Sequence, residues 1–94
     1  MALSEIRSRI DAIDAEILEL LHRRFSLALR TRRFKSRPRD PAREAEVLDR
    51  LRAAAAWSPL LRPDFLIGLY KEIFKESRRL QARTDRGRKR EKPT

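Results

Sequence analysis

The feature that most constrains the fold is a stretch without proline or glycine over residues 3–35. Apolar side chains recur in this stretch at three- and four-residue spacing, which predicts one long amphipathic helix. At 1.5 Å per residue such a helix is about 50 Å long, whereas a compact chain of this size has a radius of gyration of about 13 Å. The helix cannot be covered by its own chain, so we expect it to pack against a second copy.

Two shorter helices follow the long one. Pro38 and Pro41 exclude a continuous helix, and Asp40 before Pro41 is typical of a helix N-cap, predicting a second helix over residues 41–56. Pro63 opens a third helix that we expect to end near Gln81. The fold class is therefore all-α, with three helices per chain, one of them very long.

The composition separates a body from a tail. Residues 1–82 form the predicted domain, and residues 83–94 form a basic tail with no apolar side chain, which we expect to be disordered. The net charge of +10 favours an anionic partner but does not choose between nucleic acid, a membrane surface and a small polycarboxylate.

Several kinds of chemistry are disfavoured by the residues that the sequence lacks. There is no cysteine and one histidine, so neither disulfides nor a metal-ligand cluster is expected. The N-terminus has no apolar signal region, and no apolar run reaches the roughly 20 residues that a membrane span needs. We expect a soluble, cytoplasmic protein.

Some cations of the long helix lie on its apolar stripe. Arg24 lies seven residues after Ile17, and Lys35 lies seven after Ala28, so both fall within the stripe. Arg7 lies on the edge of the stripe. By contrast, Arg23, Arg30 and Arg33 lie on other faces, which reach water.

The shorter helices carry polar residues at apolar positions too. Ser77 and Gln81 share the apolar face of the third helix, and Glu44 lies four residues before Leu48 on the second. Buried charges and amides cost several kcal/mol unless they are paired or liganded. The set predicts an internal polar cavity. Individually, Arg24 could snorkel to water, Ser77 could be a packing residue and Glu44 could be an ion-pair partner of Arg24.

The spacing along the long helix also predicts how the site is assembled. Arg24 and Lys35 are about 16 Å apart along the axis, close enough for both side chains to reach one small anion. Arg7 is about 25 Å from Arg24 and cannot join them from its own helix. An antiparallel partner helix would bring its Arg7 to the site.

The chain resembles the all-helical, bacterial type of chorismate mutase. The resemblance covers residues 3–82 and rests on four runs, IRSRIDAIDAEILELLHRR, FK, RDPAREAEVL and IFKESRRLQ. In that family three helices per chain entwine into a homodimer with two sites, and each site takes one arginine from the partner. The resemblance therefore implies an entwined helical homodimer.

The resemblance also implies roles at the site. Arg24, together with Arg7 of the partner subunit, would bind the two carboxylates of chorismate, a role that suits a planar guanidinium. Lys35 would contact the ether oxygen and a carboxylate, and Gln81 the same ether oxygen from the other side. Arg24, Lys35 and Gln81 would be the catalytic residues.

Four further residues would complete the substrate site by the same resemblance. Glu44 would accept a hydrogen bond from the ring hydroxyl, with the Asp40 backbone nearby. Ser77 would assist carboxylate binding, and Arg43 would line the site less directly.

The reaction implied is the Claisen rearrangement of chorismate to prephenate, a step toward phenylalanine and tyrosine. It needs no cofactor and no metal, only a compact substrate conformer and donors at the ether oxygen. Three alternatives remain open: an isochorismate-pyruvate lyase of the same fold, a helical nucleic-acid-binding module, and a regulatory domain that has lost catalysis. Arg24, Lys35, Ser77 and Glu44 disfavour nucleic acid because they lie on apolar stripes.

Overall fold

Three helices account for most of residues 1–90, the part of the chain that the computed structural model describes. Helix α1 is Leu3–Thr31, α2 is Pro41–Ala55 and α3 is Pro63–Arg90. Helix α3 packs against both α1 and α2. This arrangement confirms the all-α prediction with one very long first helix.

The second helix begins as its sequence predicts. Asp40 is its N-cap, and one carboxylate oxygen accepts a hydrogen bond from the Arg43 amide at 3.1 Å. Pro41 occupies the first turn, where its missing N–H has no partner to lose. The cap fixes where α2 starts and which of its residues face α3.

The end of the first helix differs from the prediction. Helix α1 ends at Thr31, and Arg32–Phe34 form one tighter 3₁₀ turn. Lys35 then has an extended backbone, with φ −123° and ψ 144°. The expectation that Lys35 continues the helical stripe of Ala28 is therefore wrong, because the backbone leaves the helix four residues earlier.

The third helix is longer than predicted. It continues past Gln81 to Arg90, so the expectation that the helix ends near Gln81 is wrong. The Asp85 carboxylate pairs with Arg32, which ties this added turn to the end of α1. Residues 91–94 of the predicted tail lie outside the described residues.

The packed core is small for a chain of this length. Among the described side chains the buried apolar residues are Ala55, Ile73 and Phe74. The radius of gyration is 17.4 Å, well above the ~13 Å of a compact chain of this size. No helix within residues 1–90 is both long and apolar enough to cross a membrane.

The missing core corresponds to an exposed apolar stripe along the first half of α1. Its side chains are 42–60% exposed, and they are Leu3, Ile6, Ile10, Ile13 and Ile17. Apolar residues at this spacing normally face a neighbouring element. In this chain no other element packs on that half of the stripe among the described residues.

Candidate functional site

A cavity of about 300 Å³ lies where the end of α1 meets α2 and α3. Its volume is at the lower end of the range typical of small-molecule sites. It is lined by Arg24, Ala28, Thr31, Lys35, Pro38, Asp40, Arg43, Glu44, Val47, Phe74, Ser77, Arg78 and Gln81. Seven of the eight residues predicted for the site are in this set, and Arg7 is not.

Arg24 enters the cavity from α1. The side chain is half-buried, and its guanidinium lies 5.5 Å from the centre of the Tyr70 ring and 5.8 Å from that of Phe74. Aromatic faces stabilise a cation without neutralising it. Within the described residues Arg24 forms no ion pair, so its N–H donors remain available for an anion.

Lys35 lines the cavity from the extended segment after the 3₁₀ turn. Its ammonium donates to the Pro38 carbonyl oxygen at 2.9 Å, and no carboxylate pairs with it in the described part of the chain. The lysine was expected at the cavity because of its place on the helical stripe. It reaches the cavity instead because the chain turns away from the helix just before it.

Ser77 and Gln81 form the α3 wall one turn apart. They are buried, with 8% and 2% of their surface exposed. The Gln81 amide nitrogen donates to the Ala28 carbonyl oxygen at 3.3 Å, while the Ser77 hydroxyl and the Gln81 amide oxygen have no hydrogen-bond partner among the described residues. Buried polar atoms in folded proteins are nearly always paired with protein groups or ordered water, so these two atoms are available to a polar partner in the cavity.

Glu44 pairs with a residue that the sequence analysis did not select. Its carboxylate accepts a hydrogen bond from Arg78 at 2.6 Å, and Arg39 lies 3.9 Å away. The alternative that Glu44 is the ion-pair partner of Arg24 is therefore wrong. Its carboxylate keeps acceptor capacity on the cavity side, since one carboxylate offers about four lone-pair sites.

Asp40 and Arg43 contribute less directly to the cavity. The Asp40 side chain is used as the α2 cap, and the Arg43 guanidinium pairs with Glu46 at 3.3 Å, on the exposed side of α2. Both residues line the cavity, but their charged groups are already engaged within their own helix.

Arg7 lies outside the cavity. It is an exposed residue near the start of α1, whereas the cavity contacts α1 only from Arg24 onward. The structure thus keeps Arg7 apart from the cavity of its own chain.

Two polar residues of the lining were missed, although the sequence carries a signal for each. Thr31 lies seven residues after Arg24 and therefore on the same face of α1. Arg78 lies four residues after Phe74 and three before Gln81, which places it beside both on α3. Each is a polar side chain at a helical position that faces the interior.

The charges around the cavity favour an anion. Four lining residues are cationic and two are anionic, an excess of two positive charges. The cationic ones are Arg24, Lys35, Arg43 and Arg78, and the anionic ones are Asp40 and Glu44. An excess of cationic side chains around a cavity favours an anionic ligand.

Fold and cavity together define an all-helical protein with an internal polar cavity that carries more cationic than anionic side chains. The chain belongs to the chorismate mutase type II family, whose family model matches residues 6–82. It is also 35% identical over 83 residues to a protein of Streptomyces venezuelae named 4-amino-4-deoxychorismate mutase, covering 84% of this chain and 80% of that protein. No solved structure gives a significant match. The chain is thus an enzyme of the chorismate mutase type, an isomerase.

Proposed function

We propose that this enzyme rearranges chorismate to prephenate in phenylalanine and tyrosine biosynthesis. The observation that carries the proposal is the unpaired polar interior. Arg24 and Lys35 line the cavity without a carboxylate partner among the described residues, beside the unpaired Ser77 hydroxyl and Gln81 amide oxygen. Such groups are costly to bury unless a ligand binds them. A dicarboxylate would accept hydrogen bonds from Arg24, Lys35 and the Ser77 hydroxyl.

The proposed division of work follows the positions of the side chains. Arg24 binds one carboxylate with its fork of N–H donors. Lys35 and Gln81, from opposite walls, donate to the ether oxygen. Ser77 assists at a carboxylate, and Glu44 accepts the hydrogen bond of the ring hydroxyl.

The mechanism needs no group that reacts covalently with the substrate. Within one molecule a C–O bond breaks as a C–C bond forms, and negative charge builds up on the ether oxygen. The cavity restricts a flexible dianion to the compact conformer in which the two carbons meet. We propose that the Lys35 ammonium and the Gln81 N–H that does not bond to Ala28 stabilise that oxygen in the transition state.

We propose in addition that the active form is an entwined homodimer. The exposed stripe of α1, from Leu3 to Ile17, would be covered by a second copy of α1 running antiparallel. The partner's Arg7 would then reach the cavity and bind the second carboxylate. The small core of the single chain supports this, because so small a core seldom suffices alone.

A second candidate substrate is 4-amino-4-deoxychorismate, which is suggested by the name of the Streptomyces relative. The two substrates differ in having an amino or a hydroxyl group on the ring. Glu44 is already paired with Arg78 at 2.6 Å, so a further cation beside it meets an arginine as well as a carboxylate. This favours a neutral hydroxyl over an ammonium group.

The test is to supply the purified protein with three substrates separately and identify each product. We expect prephenate from chorismate, a much lower kcat/KM on 4-amino-4-deoxychorismate, and no salicylate or pyruvate from isochorismate. A higher kcat/KM on 4-amino-4-deoxychorismate would identify that compound, rather than chorismate, as the substrate. Pyruvate release from isochorismate would identify a lyase, and salt-sensitive DNA binding without turnover would support the nucleic-acid alternative.

A further inference from the structure

Arg32 joins the end of α1 to the far part of α3. Its guanidinium Nε donates to one Asp85 carboxylate oxygen at 2.9 Å, and one terminal nitrogen lies 2.8 Å from the same oxygen. The remaining terminal nitrogen donates to the Lys35 carbonyl oxygen at 2.6 Å. The Arg32 side chain is only 15% exposed, so this pair is shielded from water far more than the surface ion pairs of α2.

The contact with Lys35 occurs where the backbone direction changes. Thr31 ends the α-helix, and Lys35 is the first extended residue. The 3₁₀ turn is closed by one long hydrogen bond, from the Lys35 amide to the Arg32 carbonyl at 3.2 Å. A second tie from the Arg32 side chain to the Lys35 carbonyl fixes the peptide that carries the lysine.

The Arg32–Asp85 pair is the second of two successive contacts between α3 and the end of α1. Gln81 donates to the Ala28 carbonyl near the end of α1, and Asp85 binds Arg32 in the 3₁₀ turn that follows, so two residues four apart on α3 contact two residues four apart in sequence. The first contact lies in the cavity wall and the second lies one turn beyond it. The turn of α3 after Gln81 therefore acts on the cavity from outside.

We propose that Arg32 and Asp85 are positioning residues that set the place of Lys35 in the active site. The inference rests on the proposed function, since the value of a fixed Lys35 is its aim at the ether oxygen. Neither residue touches the substrate. Their effect is geometric, and a displacement of about 1 Å at a donor can reduce a rate by about a hundredfold.

The first experiment measures chorismate turnover by Asp85→Asn and Arg32→Lys. Asp85→Asn removes the charge that anchors Arg32, and Arg32→Lys keeps a cation but lacks the fork that reaches two partners. We expect kcat to fall about 10- to 100-fold in both, with less change in KM. Asp85→Glu, which restores the carboxylate, should recover most of the rate.

The control is an ion pair of similar length elsewhere on α3. Glu76 binds Arg79 at 2.6 Å outside the cavity, and this hydrogen bond lowers the pKa of the Glu76 carboxyl. Glu76→Gln should leave kcat and KM as in the parent protein. An equal loss in Glu76→Gln and Asp85→Asn would overturn the inference, because any broken ion pair of α3 would then suffice.

A double-mutant cycle shows whether the effect passes through Lys35. If Asp85 acts by placing Lys35, Asp85→Asn should change the residual rate less than twofold once Lys35 is alanine. Full additivity of the two losses would contradict the proposal and assign Asp85 a separate role.

Hydrogen exchange gives a readout that does not depend on turnover. In Asp85→Asn the amides of residues 34–37 should exchange faster than in the parent protein, while those of α2 stay unchanged. Unchanged exchange at residues 34–37 would overturn the inference even if the enzyme is active. A parent protein that is inactive on chorismate would refute the proposed function, and the exchange data would still decide whether the Arg32–Asp85 pair orders this segment.

Discussion

The two halves of helix α1 carry the same apolar pattern but have different neighbours. From Leu21 onward several side chains pack against the rest of the chain, and Arg24, Ala28 and Thr31 reach the cavity. From Leu3 to Leu20 every residue is exposed, including four isoleucines of the stripe.

The difference separates what one chain can build from what needs another. The cavity half already has its wall of α3 and its buried polar groups. The exposed half has the pattern of a buried surface with no element of its own chain to cover it, and it also carries Arg7. We infer that the second half of one helix and the first half of another form one active site.

The largest effect on assembly and stability is expected from a charge placed on the exposed apolar stripe of α1. Ile10→Asp would place an unpaired carboxylate in the proposed interface, at a cost of about 3–5 kcal/mol. We expect sedimentation to give monomers and the thermal unfolding midpoint to fall steeply. The matched control is Ala15→Asp, on the opposite face of α1. Equal behaviour of the two variants would mean that the stripe is not an interface.

Removing a cation of the cavity half should act on rate rather than on assembly. Lys35→Ala should reduce kcat by about 10²–10³-fold, equivalent to about 3–4 kcal/mol of lost transition-state stabilisation. Arg33→Ala is the matched control, because Arg33 is an exposed cation two residues earlier that lies over the Phe34 ring at 4.7 Å. Steady-state kinetics on chorismate would refute the role of Lys35 if both variants lost activity alike.

The pH profile tests the Gln81 amide. Gln81→Glu places a carboxyl group where a donor is needed, and only its protonated form donates. Since protonation increases as pH falls, activity should be lowest at pH 8, by up to about a hundredfold, and should rise toward acidic pH. Gln81→Leu, which has no proton to gain, should stay slow throughout. Full activity of Gln81→Glu at pH 8 would contradict the prediction.

Much of the fold follows from local signals in the sequence. The proline-free stretch predicts α1, and Asp40 with Pro41 predicts the start of α2. Both signals act within a few residues, which is why they can be interpreted without tertiary structure.

The helix ends could not be predicted in the same way. The periodicity continues to Lys35, but the chain leaves the α-helix at a 3₁₀ turn. Arg32 in that turn pairs with Asp85, 53 positions later in the sequence. The same long-range contact extends α3 beyond Gln81, where composition alone predicts disorder. Tertiary contacts of this kind leave no local pattern in the sequence.

The cavity was only partly accessible to the same reasoning. Placement on the helical wheel selected Arg24, Ser77 and Gln81, because their positions on helices are periodic. It also placed Lys35 at the cavity, but on the assumption that Lys35 is helical, whereas its backbone is extended. It also missed Arg78, whose significance depends on its contact with Glu44 on another helix.

Subunit complementation tests the shared site most directly. Arg7→Ala and Arg24→Ala are each made, and the two proteins are unfolded together in equal amounts and refolded. Half of the resulting dimers should be mixed, and each mixed dimer should contain one intact site. In that site the Arg7→Ala chain supplies Arg24 and the Arg24→Ala chain supplies Arg7. The mixture should recover about a quarter of the parent activity.

The matched mixture pairs Arg24→Ala with Lys35→Ala. These residues belong to the same subunit's share of each site, so no mixed dimer contains an intact site and activity should stay low. Recovery to about a quarter in the first mixture and none in the second is the result predicted for a site shared between chains. Dimers that form in the first mixture but stay as inactive as their parents would contradict it.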